Sequence, residues 1–307
     1  MINYSTRLFY ILKPFIPRRV QILLRRALIV IRAPLHKDVW PINERSNKKP
    51  EGWSGWPEQK QFAFVLMHDV ETNLGQSKCR QLMQLEEEIG FRSSFNFVPE
   101  RYLVSSKLRQ DLVEKGFEIG VHGLKHDGKL FLSRKRFSQQ AIHINQYLKG
   151  WESVGFVSPS MHSNLDWMHE LDIEYDASTF DTDPFEPQPS GMETIFPFTV
   201  HGDNGQRGYV ELPYTLPQDF TLFVLMKEKN IDIWKKKLDW IVERGGMVLL
   251  ITHPDYMNGH NGRCTIDEYP MELYKELLNY VKYKYEGQYW HPLPKEIARF
   301  WKGIMKD

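Results

Sequence analysis

The stretch "FAFVLMHDVETN", residues 62–73, indicates the fold and carries the first chemical groups. Its apolar run ends abruptly on the ionisable residues His68, Asp69 and Glu71. Residues two apart on a strand point to the same side, so Asp69 and Glu71 can enter one pocket while Val70 turns into the core. Two carboxylates in one pocket repel each other, and a divalent cation removes that repulsion. The stretch therefore predicts a buried strand whose carboxyl end holds a metal.

Further along the chain, apolar runs typical of strands alternate with helical segments that end at glycine. The pattern predicts strands at residues 62–69, 93–98, 117–122 and 247–253, and helices at residues 75–90, 106–116, 137–150 and 230–246. This alternation indicates an α/β fold with parallel pairing, as an open sheet or a barrel. The ionisable residues fall at the carboxyl ends of the strands, which is the edge where such folds build active sites.

Composition excludes several classes of protein. A formal charge of +1 over 307 residues offers no general attraction for nucleic acid, so we expect no nucleic-acid partner. The two cysteines, Cys79 and Cys264, are too few for a disulfide framework or a thiolate zinc site. With 41% hydrophobic residues the chain can bury a large core. No heptad or other interface pattern predicts an oligomeric state.

The first 37 residues hold eight Lys or Arg and no acid, with apolar residues between them. Their longest apolar runs are five residues, which is too short for a signal peptide or a membrane span. A basic amphipathic helix is predicted from about Arg18 to Ile31, and it could lie on an anionic membrane or against a partner protein. Alternatively, its apolar face packs on the main domain while its arginines are solvated. We predict that residues 1–55 form this extension and a linker, and that residues 56–307 form the main domain.

The segment "GVHGLKHDG", residues 120–128, supplies His122 and His126 at a spacing that places both imidazoles on one side of a turn. Two histidines and one carboxylate form a facial set of three ligands that leaves positions open, which is typical of catalytic sites. Zinc, iron, cobalt, nickel and manganese all suit such a set. The second carboxylate is then free to act as a base. The alternatives are a helix cap for the acid pair and a surface histidine pair.

Two further regions complete the predicted site. His253 ends the strand of "MVLLITHPDY", residues 247–256, where it could protonate a leaving amine or be a satisfied core histidine. Residues 158–218 are rich in proline, aromatic and acidic residues and lack helical periodicity, so we predict that they form the wall of a substrate cleft. Asp181 and Asp183 would line that cleft by position. Aromatic rings there offer flat faces to sugars, or belong to the core; they are Trp167, Phe180, Phe185 and Tyr214.

From residue 61 to residue 256 these motifs resemble the polysaccharide deacetylase, or NodB-homology, family. The motifs are "FVLMHDVE", "GFEIGVHGLKHDGKL", "GFVSPSMHSNLDW", "YDASTFDTDPF" and "LLITH". The resemblance implies a distorted (β/α) barrel, usually with seven strands, here with a basic helical extension at its amino terminus. Members of the family remove N- or O-acetyl groups from polysaccharide sugars, and some relatives cleave other C–N amides.

Carried over by position, the resemblance makes Asp69 the general base, Glu71 the metal-binding acid and His253 the general acid. It also makes His122 and His126 the metal-binding histidines, and it matches the backbone N–H near Pro159 and Ser160 to the family's oxyanion contact.

The chain departs from the family pattern at two positions. Glu71 stands where an aspartate is usual, and Val157 stands where an arginine orients the base. Without that arginine the pKa of Asp69 should be higher, unless Arg92 or Arg207 supplies the charge.

The implied function is hydrolytic removal of acetyl groups from an N-acetylated sugar, in a polysaccharide or a lipid-linked precursor. The implied cofactor is one divalent metal ion, with zinc as the first candidate, and the partner is a carbohydrate. Two alternatives stay open: hydrolysis of a non-sugar C–N amide, and a catalytically silent carbohydrate-binding protein. We expect a cytoplasmic location, with peripheral contact to the inner membrane surface through residues 7–32.

Overall fold

The computed structural model describes residues 16–202, 207–259 and 263–304. The part of the predicted basic extension that falls on residues 1–15 lies outside these ranges. A sheet of nine strands forms the centre of the described chain. Its strands are β1 (Phe62–Val70), β2 (Ser94–Phe97), β3 (Glu118–His122), β4 (Gly155–Val157), β5 (Tyr175–Asp176), β6 (Phe198–Val200), β7 (Tyr209–Glu211), β8 (Met247–Thr252) and β11 (Tyr289–Trp290). The short strands β9 (Met257–Asn258) and β10 (Tyr269–Pro270) pair separately.

Parallel pairing runs through most of this sheet. Strands β8, β1, β2, β3, β4, β5 and β7 follow one another as parallel neighbours. β11 adds to the amino-terminal half of β1, and β6 pairs antiparallel with β7. Between β7 and β8 the backbone N–H groups of Thr215 and Leu216 donate to the carbonyl oxygen of Leu249, at 2.9 and 3.1 Å respectively. The sheet therefore curls into a distorted (β/α) barrel, as the family resemblance implied.

The helices cover the outside of the sheet. They are α1 (Arg18–Arg32), α2 (Asn73–Ile89), α3 (Ser106–Glu114), α4 (Arg134–Gly150), α5 (Leu165–Met168), α6 (Asp232–Arg244), α7 (Glu272–Lys284) and α8 (Pro294–Ile304). Side chains of Thr72, Ser105 and Ser133 cap the first turns of α2, α3 and α4, which satisfies backbone N–H groups that have no partner inside the helix. Gly90 and Gly245 end α2 and α6 in the left-handed conformation.

The core lies between the sheet and these helices. All nine residues of β1 are buried, because the strand has neighbours on both sides and helices cover the sheet. A second layer of aromatic contacts joins the segment before β1 to the end of the chain, where Trp53 and Trp56 pack with Phe196 and Phe300. The sequence reading did not predict the last helices, α7 and α8.

The helix α1 matches the predicted span of residues 18–31 and packs on a π-helical turn, Phe220–Met226. Arg26 donates to the carbonyl oxygens of Val224 and Ile266 at 2.9 and 2.7 Å. Among the described residues, no helix is long and apolar enough to cross a membrane. The domain boundary near residue 55 stays a prediction.

Candidate active site

Three side chains converge where β1 and β3 end. Glu71 directly follows β1, His122 is the last residue of β3, and His126 lies in the loop after it. One ligand atom from each lies within 4.8 Å of the other two, and His126 Nε2 is 3.1 Å from Glu71 Oε1. The backbone of His126 has a positive φ of 54°. Non-glycine residues adopt that conformation at a cost that is often borne at functional sites.

The loop after β3 is held close to the turn after β4. Gly123 has a φ of 63°, and a Cβ atom there would lie 2.5 Å from Pro159. A larger residue would push the two loops apart and move His122 and His126 away from Glu71.

The protonation and hydrogen bonding of the two histidines suit metal binding. Nε2 of His122 is buried and makes no hydrogen bond in the described structure, and Nε2 of His126 is buried beside the Glu71 carboxylate. The other ring nitrogen of His122 lies 3.1 Å from the carbonyl oxygen of Val157, so the proton belongs on Nδ1 and Nε2 keeps its lone pair. Burial, reinforced by His126, lowers the pKa of His122 well below its usual value. A neutral imidazole with a free buried nitrogen is suited to bind a metal.

Glu71 is oriented by side chains that are distant from it in the sequence. Tyr256 donates its hydroxyl hydrogen to Oε2 of Glu71 at 2.8 Å, and Asp255 accepts from the backbone N–H of Glu71 at 2.9 Å. Arg18 of α1 donates in turn to the Tyr256 oxygen at 3.2 Å. Burial acts to raise the pKa of Glu71, but His126 above all outweighs it and holds this pKa well below its usual value. Glu71 is therefore a carboxylate with Oε1 turned toward the histidines.

Asp69 lies in the same pocket, next to the last residue of β1. Asn96, its neighbour in the register of β2, donates to Oδ1 at 2.8 Å, and His122 Nδ1 lies 3.5 Å from Oδ2. Burial raises the pKa of Asp69 to about 6, against the opposing effects of His253 and of the hydrogen bond from Asn96. At neutral pH this carboxylate is ionised but basic enough to accept a proton, as a general base must be.

The arginine that the resemblance implied is not replaced by either predicted substitute. Arg92 lies at the amino-terminal end of β2, where it donates to the carbonyls of Phe91 and Lys115. Arg207 is exposed, and its carbonyl lies 3.2 Å from a ring nitrogen of His169. Instead, the charge of His253 and the hydrogen bond from Asn96 partly offset the effect of burial on the pKa of Asp69.

His253 follows β8 and is anchored by Asp219. Its ring Nδ1 lies 2.7 Å from Asp219 Oδ1, and its backbone N–H donates to Oδ2 at 2.8 Å. Tyr269 donates to the same Oδ2 at 2.9 Å. Burial alone would lower the pKa of His253, but the Asp219 carboxylate raises it to about 10. The imidazolium therefore carries a proton at neutral pH, which it could give to a leaving group.

The other predicted site residues lie in the loops between β4 and β8. Pro159 and Ser160 form a 3₁₀ turn, Pro159–Met161, and Ser160 has a φ of 60°. Asp181 is buried and lies 2.8 Å from Nζ of Lys237, which is also buried. Tyr214 donates to Asp183 Oδ2 at 3.0 Å and lies 3.2 Å from Glu186 Oε1.

Sequence reading missed three groups that hold the predicted residues: Asn96, Asp219 and Tyr256. Each carried a weak signal. Asn96 interrupts a buried apolar strand, Asp219 follows the turn "YTLPQ", and Tyr256 ends the motif that contains His253. None of the three signals indicates a partner, because each partner is distant in the sequence.

Comparison with known proteins supports this architecture. A candidate polysaccharide deacetylase from Mycobacterium smegmatis superposes with a TM-score of 0.64 at 15% identity, covering 83% of this chain and 95% of the other. A second candidate, from Pseudomonas aeruginosa PAO1, gives 0.62 at 14% identity, covering 86% and 98%. This chain therefore has the same distorted (β/α)-barrel fold as these two proteins. PuuE allantoinase is also similar to this chain, with a TM-score of 0.63 at 13% identity, covering 84% of this chain and 95% of the other.

At these identities the likeness concerns the fold alone. No protein-family model matches the chain, and no curated protein matches it in sequence.

Proposed function

We propose that the protein is a metal-dependent hydrolase that removes acetyl groups from an N-acetylated sugar. The observation that carries the proposal is the convergence of Glu71, His122 and His126. Nε2 of His122 is buried without a hydrogen bond, and Nε2 of His126 faces the Glu71 carboxylate. Asp69 and His253 add a base and an acid whose pKa values lie on opposite sides of neutrality. A site with a ligand set, a base and an acid is sufficient for amide hydrolysis.

A divalent ion held by Glu71, His122 and His126 would polarise the acetyl carbonyl and acidify the attacking water. Asp69 would accept the proton of that water, because its carboxylate is ionised at neutral pH. His253 would donate its ring proton to the departing amine, and Asp219 would keep the ring protonated and oriented. The backbone N–H of Ser160 would donate to the oxygen that gains charge.

Zinc is the first candidate metal, since two imidazoles and a carboxylate with open positions are typical of catalytic zinc. Cobalt, iron, nickel and manganese suit the same donors. Elemental analysis of the purified protein, beside a variant with His122→Ala and His126→Ala, tests the site. We expect near-stoichiometric metal in the parent and loss in the variant, together with acetate release from N-acetylated oligosaccharides by the parent only. Absence of metal in both, after reconstitution with zinc and cobalt, would leave a carbohydrate-binding protein as the better description.

Hydrolysis of a non-sugar C–N amide is the second candidate. The similarity to PuuE allantoinase favours it, because the TM-score is nearly the same as for the deacetylase candidates. Incubation of the metal-loaded protein with allantoin and cyclic imides, and with N-acetylated sugars, separates the two functions by product.

The substrate would lie against the loops between β4 and β8. In our proposal Asp181, Asp183 and Tyr214 line this cleft, and the buried carboxyl pair of Asp183 and Glu186 shapes the sugar site. Burial raises the pKa of Glu186 to about 8, with the neighbouring Asp183 as the next cause, so Glu186 is largely protonated at neutral pH. We propose a cytoplasmic enzyme acting on a polysaccharide or a lipid-linked precursor at the inner membrane surface, which cell fractionation would test.

A further inference from the structure

The helix α1 buries Ile22 and Ile29 against the barrel but turns most of its apolar residues outward. On a helical wheel, Val20, Leu23, Leu24, Ala27, Val30 and Ile31 span an arc of about 120°. All six are exposed, and Leu28 lies beside them. Their large side chains, together with Leu28, are between 42% and 74% exposed. We call these seven residues the outward face.

The opposite side of α1 is held to the barrel largely by arginines. Arg18 contacts Tyr256 and lies 3.7 Å from Asp267, and the guanidinium of Arg25 lies 5.0 Å from the centre of the Phe220 ring. Arg26 donates to two backbone carbonyls. Ile22 and Ile29 are buried on this side as well. The helix therefore packs on the barrel through two isoleucines and several arginines, while most of its apolar residues face outward.

This concentration of exposed apolar side chains is local. Leu35, in the turn after α1, extends the outward face and is 75% exposed. Among the described residues, the other exposed large apolar side chains are spread over separate elements: Leu74, Leu103, Val113, Ile142, Met192 and Tyr283. A contiguous apolar surface of this kind marks a contact site.

Charge indicates what covers the outward face. Arg19, Arg32 and Lys37 are exposed around it, and no acidic residue precedes Asp38 in the sequence. An apolar stripe with a basic rim complements a bilayer that contains anionic lipid. A second copy stacked symmetrically on the same face would bring Arg19 and Arg32 of both copies together, and like charges would oppose that pairing.

We propose that the outward face of α1 docks on the surface of a bilayer that contains anionic lipid. Arg18 touches Tyr256, which holds Glu71, so docking through α1 would bring the candidate metal site close to the lipid surface. A sugar carried on a lipid would then reach the cleft without leaving the bilayer. That last step rests on the proposed function, whereas the docking itself does not.

The test is co-sedimentation of the full chain with vesicles of equal parts phosphatidylcholine and phosphatidylglycerol. The face variant carries Leu24→Gln, Leu28→Gln and Ile31→Gln. The matched control makes the same kind of change on other elements, at Leu103→Gln, Val113→Gln and Ile142→Gln. We expect the parent and the control to sediment with the vesicles, and the face variant to lose partition by about 10-fold or more.

A single Val30→Gln change, at a side chain that is 74% exposed, should weaken binding in the same direction without disturbing the fold. The proposal is overturned if the parent stays in the supernatant or if the face variant binds as the parent does. It is also overturned if the parent is a dimer that the face variant converts to monomer while neither binds vesicles, because a second copy would then be the occupant. Zinc content and acetate release from a soluble sugar are measured on the same samples, so failure of docking is distinguished from failure of the proposed function.

Discussion

Replacing Tyr256 with phenylalanine tests whether the carboxylate of Glu71 is positioned for a metal by its neighbours. The hydroxyl of Tyr256 is 2.8 Å from Glu71 Oε2, and burial together with Glu71 raises the pKa of Tyr256 well above its usual value, so the hydroxyl always donates. Without this hydrogen bond the carboxylate can turn away, and metal binding must order it again. A hydrogen bond to a charged group contributes ~1.5–3 kcal/mol. Removing such an outer partner weakens metal binding by roughly 10- to 100-fold.

The assay is titration of the metal-free protein with zinc against a competing chelator, for the parent and for Tyr256→Phe. A matched control is Tyr280→Phe, which removes a hydroxyl that donates to Asp239 at 2.8 Å, outside the site. We expect weaker zinc binding in the first variant and parental binding in the second, with thermal unfolding recorded for both. Equal zinc affinity in Tyr256→Phe and the parent would refute the reasoning, as would an equal loss in both variants.

Three further outcomes are expected. Asp219→Asn should lower the pKa of His253 from about 10 toward the usual 6.5. Because an acid must be protonated to act, the alkaline limb of the pH–rate profile should move to lower pH. An unmoved limb would exclude His253 as the acid. Lys237→Met leaves the buried Asp181 carboxylate unpaired and should destabilise the protein by ~3–5 kcal/mol in urea unfolding. Adding Asp181→Leu should recover most of that loss, and no recovery would argue against the ion pair. Chelation should lower the midpoint of thermal unfolding, since a metal bound only by the native state stabilises it; an unchanged midpoint would contradict a resident metal.

The sequence by itself determined the β/α alternation and predicted the candidate ligands at strand ends, because both are local patterns. An apolar run that ends on Asp69 and Glu71 predicts a strand end. In a parallel sheet every strand end lies at the same edge, so His122 and His253 could be expected there as well. The amphipathic character of α1 is also local, since it depends only on helical periodicity.

Only the tertiary structure decided which groups hold these residues and which side of α1 is buried. Asn96, Asp219 and Tyr256 lie 27, 34 and 185 residues from the partners they contact, and no local pattern encodes such a pairing. The hydrophobic pattern of α1 shows that one side of the helix is apolar. Which side packs on the barrel depends on the barrel surface that contacts the helix. Here the barrel surface buries Ile22 and Ile29, and its aromatic rings and backbone carbonyls bind the arginines, so the leucines remain outside. The chemistry of a side chain is local, whereas the electrostatic field and the contacts around it come from distant parts of the chain.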